Sequence, residues 1–410
     1  MDSIQINKAA KFVVDGHWFS RSRFSVIGIE NKDFTFTDNL ARDRKLFMSK
    51  LTMDLFAELR NLGPLVDQVV IVSDYISWRK RVNFLKAPWD APVLGEDPSY
   101  KSQRTYDSEV NWGEMHKCFS DWATLMQQHF NIPYQRSLGC EGDDWAYIIS
   151  DIYMQAKQNV ILFSTDGDMG QLCRTNDNGN YTALYKKKRK KVPGGWKSEN
   201  HLIATDETIQ AINNTHSQVD VFSYDPSFVA PYEHFPKHFQ EFHDILPAAF
   251  LLHKIIEGDG KDNVSPLMVR KTAKTTQRPK SPQIHEALKE IGLDWNTVTF
   301  DHFYREDFIN HMTTSMHNKV MKMVTLPEDY ATFYKNKWVE NRNLLHLSNK
   351  EIPVNVYDAA RKEIQTNAKL FGEKTNILSS GHYKDVLAII GVEEQTTTAG
   401  GTDPFAGLGF

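Results

Sequence analysis

Apolar and polar positions alternate in blocks along the first 170 residues, switching between short buried-strand runs and helical spacings. Lys11–Val14 is a short apolar run that ends at Asp15. From about Leu40 to Leu62, Leu51, Leu55, Leu59 and Leu62 fall at helical spacing before a Gly63-Pro64 stop. Gln68–Ser73, with Val69, Val70, Ile71 and Val72, reads as a buried strand that ends at Asp74. Residues 112–130 carry Met115, Phe119, Trp122, Met126 and Phe130 three or four apart, a core-facing helical stripe. Another helix opens near Glu141 and runs through Trp145, Ile148, Ile149 and Ile152. Asn159–Thr165 is a third strand, ending at Asp166. This alternation predicts an α/β fold, a mostly parallel central sheet flanked by helices.

Beyond that core the pattern changes. Residues 75–111 are polar, aromatic and proline-containing, too long for an ordinary connection and therefore a functional or mobile loop region. Residues 175–245 are mixed, with a turn-rich stretch at Asn176–Asn180. Residues 247–390 read as mainly helical, and from Glu393 onward the chain is Thr/Gly-rich. We divide the chain into an α/β core over 1–245 with the arch region 75–111, a helical domain over 246–392, and a flexible tail over 393–410.

Composition narrows the class without deciding it. The 410 residues are 40% hydrophobic and 24% charged, which excludes disordered and collagen-like chains. No apolar run reaches the roughly 18 residues of a membrane span, and the N-terminus lacks a signal-peptide pattern. A cytoplasmic monomer with no membrane contact is expected. Cys118, Cys140 and Cys173 are odd in number and far apart, so they read as buried thiols rather than disulfides or zinc ligands. Forty-eight basic against fifty-two acidic residues leave a net charge of −4, a weak argument against a nucleic-acid partner. Set nine clustered acids aside, as bound cations would, and the balance becomes +5.

Those nine acids carry the chemistry. Asp15, Asp74 and Asp166 each close an apolar strand, and the carboxyl edge of a parallel sheet is where ligands gather. Asp168 follows Asp166 across Gly167. Glu141, Asp143 and Asp144 open a helix together, and Asp259 and Asp262 lie in Glu257-Gly258-Asp259-Gly260-Lys261-Asp262-Asn263. Any one of these motifs alone is as well explained by helix capping or an Asp-Gly turn. Their joint order is not. Crowded carboxylates repel until hard, oxygen-seeking cations neutralise them, and two such ions can hydrolyse a phosphodiester.

The chain resembles the FEN-like 5′ nucleases, in particular their T-even phage ribonuclease H branch, over roughly residues 10–355. The motifs that carry the likeness are Phe12-Val13-Val14-Asp15-Gly16, Asp74 with Trp78-Arg79-Lys80-Arg81, and Tyr100-Lys101 with Arg104. It continues through Glu141-Gly142-Asp143-Asp144, Thr165-Asp166-Gly167-Asp168 with Gln171-Leu172, and Gly258-Asp259-Gly260-Lys261-Asp262-Asn263-Val264. The resemblance implies Mg²⁺ or Mn²⁺, two ions, one held by Asp15, Asp74, Glu141 and Asp143. The other would be built by Asp166, Asp168, Asp259 and Asp262, with Asp144 an acid found only in some members. It further implies 5′-to-3′ exonuclease and flap endonuclease activity with ribonuclease H action on RNA/DNA hybrids, removing primers in replication. One departure stands out. The stretch from Val264 to Thr272 lacks the glycines of the family's helix–hairpin–helix, which puts a bound potassium ion in doubt.

Cations accompany the acids. Lys80, Arg81, Lys101 and Arg104 are expected beside the scissile phosphate, and Arg79 beside the nucleic acid. Arg270, Lys271, Lys274, Arg278 and Lys280 run without an intervening acid, either a phosphate-contacting segment or a solvated basic loop. Tyr100, Tyr106 and Trp89 are offered for stacking on unpaired bases. Lys186–Lys191, basic at every position, is either a hairpin edge that meets DNA or a solvated run. The tail's Phe405, Leu408 and Phe410 suit a short docking peptide for a sliding clamp or single-strand-binding protein, or simply a frayed end. Two alternatives stay open: a PIN-type single-strand ribonuclease, and a catalytically silent binder of branched DNA.

Overall fold

The computed structural model describes residues 9–62, 66–82, 85, 100–102, 104, 106–193, 195–209, 241–271, 276–322, 328–372, 375 and 388. Strand β1 (Ala10–Asp15) is buried along its whole length, as expected for the middle of a parallel sheet covered on both faces. Helices α1 (Gly16–Glu30) and α2 (Leu40–Leu62) lead to β2 (Val66–Val72). Helix α3 (Trp112–Phe130), β3 (Tyr134–Gln135) and α4 (Gly142–Gln155) lead to β4 (Asn159–Phe163). Then come β5 (Arg174–Thr175), the long β6 (Tyr181–Val192), β7 (Gly195–Ala204) and β8 (Glu241–Asp244). The sheet order is β3-β2-β1-β4-β6-β7-β8, with β5 paired to β6. Among the described residues of this sheet, pairing is parallel from β3 to β6 and between β7 and β8, and antiparallel between β6 and β7 and between β5 and β6. The expected mostly parallel sheet between helices is the observed architecture.

Two features of this topology position the site. The chain builds outward from β1 through β2 to β3, then crosses back to lay β4 on β1's other side. That reversal opens a crevice at the carboxyl edge beside β1. Register then levels the strand ends: Asp15 pairs with Val72 and Val14 with Phe163, so the segments carrying Asp15, Asp74 and Asp166 leave the sheet side by side. Gly16 permits the tight exit. A Cβ there would lie 2.7 Å from the Val72 carbonyl oxygen and 2.6 Å from the Phe119 ring.

The remaining helices are α5 (Pro247–Glu257), α6 (Ser281–Lys289), α7 (Glu306–Met321), α8 (Glu328–Leu345), α9 (Val354–Thr366) and α10 (Ala368–Gly372). A short ribbon of β9 (Arg270–Lys271) and β10 (Thr276–Gln277) precedes α6. Helices α5 to α8 enclose their own apolar core around Leu252, Ile255, Met312 and Trp338. The chain from Leu347 to Phe371 does not stay with that helical half, as the sequence division placed it. Leu347, Ile352, Ala360, Ile364 and Phe371 pack with Ile148 and Ile149 of α4 against the sheet. Gln68 Nε2 donates to the Leu370 carbonyl at 2.9 Å, tying α10 to β2. All three cysteines are buried free thiols, as read from their spacing, and burial pushes each up to about 12. Among the described residues no helix is long and apolar enough to cross a membrane.

Candidate active site

The acids converge at the carboxyl edge. Asp15 caps α1, accepting from the Trp18 amide at 3.0 Å and from Ser164 Oγ at 2.7 Å. Ser164 also accepts from the Asp166 amide at 3.0 Å, so one hydroxyl joins the ends of β1 and β4. Asp74 accepts from the Gly142 amide at 2.6 Å, joining the end of β2 to the start of α4. Gly142 is where two acids come together. A Cβ built there would stand 3.0 Å from Asp74 Oδ1 and 3.7 Å from Asp15 Oδ1.

Electrostatics follow from this crowding. Burial, with Asp74 and Asp166 nearby, pushes Asp15 up to about 7. Burial would raise Asp74 as well, but His17, Lys101 and the Gly142 amide outweigh it and hold that carboxyl below its usual range. Burial and the neighbouring Glu141 and Asp144 raise Asp143 well above a normal aspartate, despite Arg79. Asp168 is pushed up to about 6, chiefly by burial.

The protein's own cations stand among these acids. Lys101 Nζ is 2.8 Å from Glu141 Oε1 and 3.7 Å from Asp262 Oδ2, and Arg104 Nη2 is 2.6 Å from Asp262 Oδ1. Lys254, on α5, lies 2.6 Å from Asp168 Oδ1 and also hydrogen-bonds Asp259 Oδ2. Two linked groups result. Asp262 belongs on the Glu141 side through Tyr100, Lys101 and Arg104, whereas the resemblance grouped it with Asp166, Asp168 and Asp259. Among the described residues no three carboxylate, imidazole or thiol groups form a ready-made coordination cage.

Three sequence assignments need correction. Arg79 does not face a nucleic acid. Its guanidinium is fully buried, donating at 2.8 Å to each oxygen of Asp144, at 3.2 Å to Glu141 Oε2 and at 3.0 Å to the Leu344 carbonyl. Asp144, offered as a metal ligand, has both oxygens taken by Arg79, and Oδ2 also accepts from the Glu141 amide at 3.0 Å. A buried guanidinium needs a carboxylate, and here they satisfy each other. Tyr100 is likewise no stacking platform: it is buried, with its hydroxyl 3.1 Å from Glu141 Oε2 and 2.9 Å from Asp262 Oδ2.

The other basic candidates divide. Lys80 and Arg81 are exposed on the one-turn helix Trp78–Arg81, immediately beyond Arg79. Arg270 is half-buried on β9 and Lys271 lies beside it in the same strand; Arg278 and Lys280 are exposed, Lys280 at the start of α6. Lys274, Trp89 and the tail from 393 lie outside the described residues. Tyr106 is exposed but already lies edge-on to Trp112, with Arg21 4.8 Å from each ring centroid. Lys186–Lys191 do form a hairpin strand, and Lys187 turns inward to pair with buried Glu58.

Sequence reasoning missed Ser164, His17 and Lys254. Ser164 directly precedes Thr165-Asp166, and His17 follows Asp15 by two residues with its ring 3.8 Å from Asp74. Strand-end proximity could have flagged both. Lys254 has no such signal, because only the packing of α5 on the Asp168–Leu172 turn brings it in.

Whether this site suits hard divalent cations can be judged from its donors. They are carboxylate oxygens, three of them with raised proton affinity, around a glycine that leaves room between Asp15 and Asp74. Such a set fits Mg²⁺ or Mn²⁺ and not a soft metal. A prediction about stability follows. A carboxyl whose folded value exceeds its unfolded one favours the folded state at low pH, and that contribution is lost as pH rises through the folded value. For Asp15 and Asp168 the loss spans about pH 4 to 7. Buried His116 and His346, pushed down to about 4, slope the other way over the same range, so the acid contribution is read as a difference between proteins. In EDTA the Tm of the wild type relative to Asp15→Asn should decline from pH 5 to pH 8, and millimolar Mg²⁺ should remove most of that decline. A flat difference by differential scanning fluorimetry would contradict this picture of the site.

No family model and no curated protein matches the chain. Among solved structures it is similar to the bacteriophage T5 D15 protein co-crystallised with metal ions: TM-score 0.45, 14% identity, 87% of this chain and 98% of that one. It is similar to the T5 D15 flap endonuclease in a pseudo-enzyme-product complex with DNA and metal ions, at TM-score 0.45 and 14% identity over 88% and 99% of the two chains. Human GEN1 in complex with Holliday junction DNA gives TM-score 0.34 and 10% identity over 83% and 73%. At such identities the chemistry has to be read from the residues themselves.

Proposed function

We propose that this protein is a metal-dependent, structure-specific 5′ nuclease of the FEN-like kind. The observation that carries the reading is the meeting of Asp15, Asp74 and Asp166 from three strand ends, with Asp15 buried among like charges that a bound cation would relieve. Asp15, Asp74, Glu141 and Asp143 would hold one ion, and Asp166, Asp168 and Asp259 would hold another. When bound, hard divalent ions supply an activated water and charge neutralisation at the phosphodiester. The chain's part is positioning. Ser164 fixes the Asp15 carboxylate, the Gly142 amide fixes Asp74, and Lys101 and Arg104 bring positive charge to the rim where phosphate oxygens would arrive. Exposed Lys80, Arg81, Arg278 and Lys280 extend that charge for backbone contact without base reading.

The finer reading is the phage ribonuclease H type: RNA/DNA hybrids and 5′ flaps as substrates, Mg²⁺ or Mn²⁺ as cofactor, primer removal in phage replication as the role. Its support is the motif resemblance together with the acid geometry. A labelled 5′ flap tests it. With Mg²⁺ we expect cuts near the 5′ end, with EDTA none, and with Asp166→Asn a loss of about a thousandfold, the scale of several kcal/mol of metal-borne stabilisation. Cleavage of single-stranded RNA regardless of a 5′ end would replace this reading with the PIN-type one. Binding without cutting in every lane would leave a branched-DNA binder.

A further inference from the structure

The aromatic rings offered by the sequence for stacking are buried, already engaged or outside the described residues, yet a different ring stands at the lip of the site. Tyr75 directly follows Asp74 and is 43% exposed, beside Ile76 at 51% and Leu138 at 60%. These are large apolar side chains left in water next to a cluster of carboxylates. They are not on loose loops. The Tyr75 amide donates to the Cys140 carbonyl at 3.2 Å, the Gly139 amide to the Ile76 carbonyl at 2.9 Å, and the Trp78 amide to the Gly139 carbonyl at 3.1 Å. Ser77 and Gly139 form a parallel bridge, so the two loops are cross-linked like a small sheet. Arg136 completes the group. Its guanidinium carbon lies 4.3 Å from the Tyr75 ring centroid, and its Nε donates to the Asp74 carbonyl at 3.3 Å.

The geometry points to a nucleobase-stacking ledge: Tyr75, backed by Arg136 and flanked by Ile76 and Leu138, receives an unpaired base adjacent to the phosphodiester held by the acids. This rests on the nuclease reading. An exposed ring with a guanidinium on it is a surface that base π-faces favour, and stacking tolerates every base. Among the described residues the patch is three side chains and one arginine, far less than the roughly 800 Å² from each side that a protein partner needs. One nucleotide suffices to cover them. The ledge is also continuous with the site, since Asp74 lies between Tyr75 and the Gly142 amide.

The test scans 2-aminopurine along the unpaired strand of a 5′-flap substrate in EDTA, where binding proceeds without cutting. At one position wild-type protein should quench the fluorophore, Tyr75→Phe should retain the quenching, and Tyr75→Ala should lose it with about tenfold weaker binding. An abasic site at that position should weaken wild-type binding by the same factor and leave Tyr75→Ala unaffected, a comparison in which the wild-type arm needs no altered protein. Quenching that is independent of Tyr75 at every position, or equal tenfold loss for Tyr75→Ala on base-bearing and abasic strands, would overturn the ledge. Flap cleavage by wild type in Mg²⁺, run in parallel, separates that outcome from failure of the nuclease reading.

Discussion

Asp15→Asn should make the protein more stable in EDTA at pH 8 and at the same time cost about a thousandfold in flap cleavage with Mg²⁺. The two effects share one cause. Asp15 is buried beside Asp74 and Asp166, and this pushes its carboxyl up to about 7 from 3.8. At pH 8 the group is ionised against that preference. The shift corresponds to about 4 kcal/mol at 1.36 kcal/mol per unit, and with relaxation returning part of it we expect roughly 2 kcal/mol of stabilisation. Asparagine keeps the oxygen that accepts from the Trp18 amide, so the cap on α1 survives. Ser164 can rotate its hydroxyl to accept where it had donated. What asparagine cannot supply is the negative charge a hard cation requires. Urea denaturation in EDTA and single-turnover cleavage in Mg²⁺ measure the pair. Loss of stability together with loss of activity would mean that Asp15 acts only as a helix cap.

How much of this could be read from the chain differs by residue, for physical reasons. The strand-end aspartates were legible because parallel strands are buried on both faces, so each run of Val, Ile and Phe stops sharply at the sheet's carboxyl edge. Knowing only that the sheet is parallel then brings Asp15, Asp74 and Asp166 to one edge. Glu141, Asp143 and Asp144 were legible as a group but not as individuals. At a helix start, neighbouring acids point different ways, and sequence does not say which one meets a buried arginine. Arg79 shows the same difficulty. Within Trp78-Arg79-Lys80-Arg81 three cations look alike, yet one turn of helix points Arg79 inward and leaves Lys80 and Arg81 in solvent. Lys254 and the return of Leu347–Phe371 to the sheet depend on how separate elements dock, and amphipathic periodicity names an apolar face without naming its partner.

Arg79→Met should destabilise the protein by about 3–5 kcal/mol, the cost of leaving a buried carboxylate without its partner. The guanidinium is wholly enclosed and uses all three nitrogens: Nη1 and Nη2 on Asp144, Nη1 also on Glu141, Nε on the Leu344 carbonyl at the end of α8. One side chain therefore joins the turn after β2, the start of α4 and the helical half of the molecule. Methionine fills much of the volume but returns none of these bonds, so Asp144 must either ionise alone or take up a proton. Arg79→Lys keeps the charge without the planar fork and should fall between the two. Adding Asp144→Leu to Arg79→Met removes the stranded charge and should recover part of the loss, so that the double variant is more stable than Arg79→Met alone. Urea unfolding of the four proteins decides between this role and the nucleic-acid contact suggested by sequence. A phosphate-binding Arg79 would leave stability unchanged and lower the salt dependence of DNA affinity by about one ion per side chain removed. A buried keystone reverses that pattern: stability collapses, and in whatever fraction stays folded the salt dependence is the same as in the wild type.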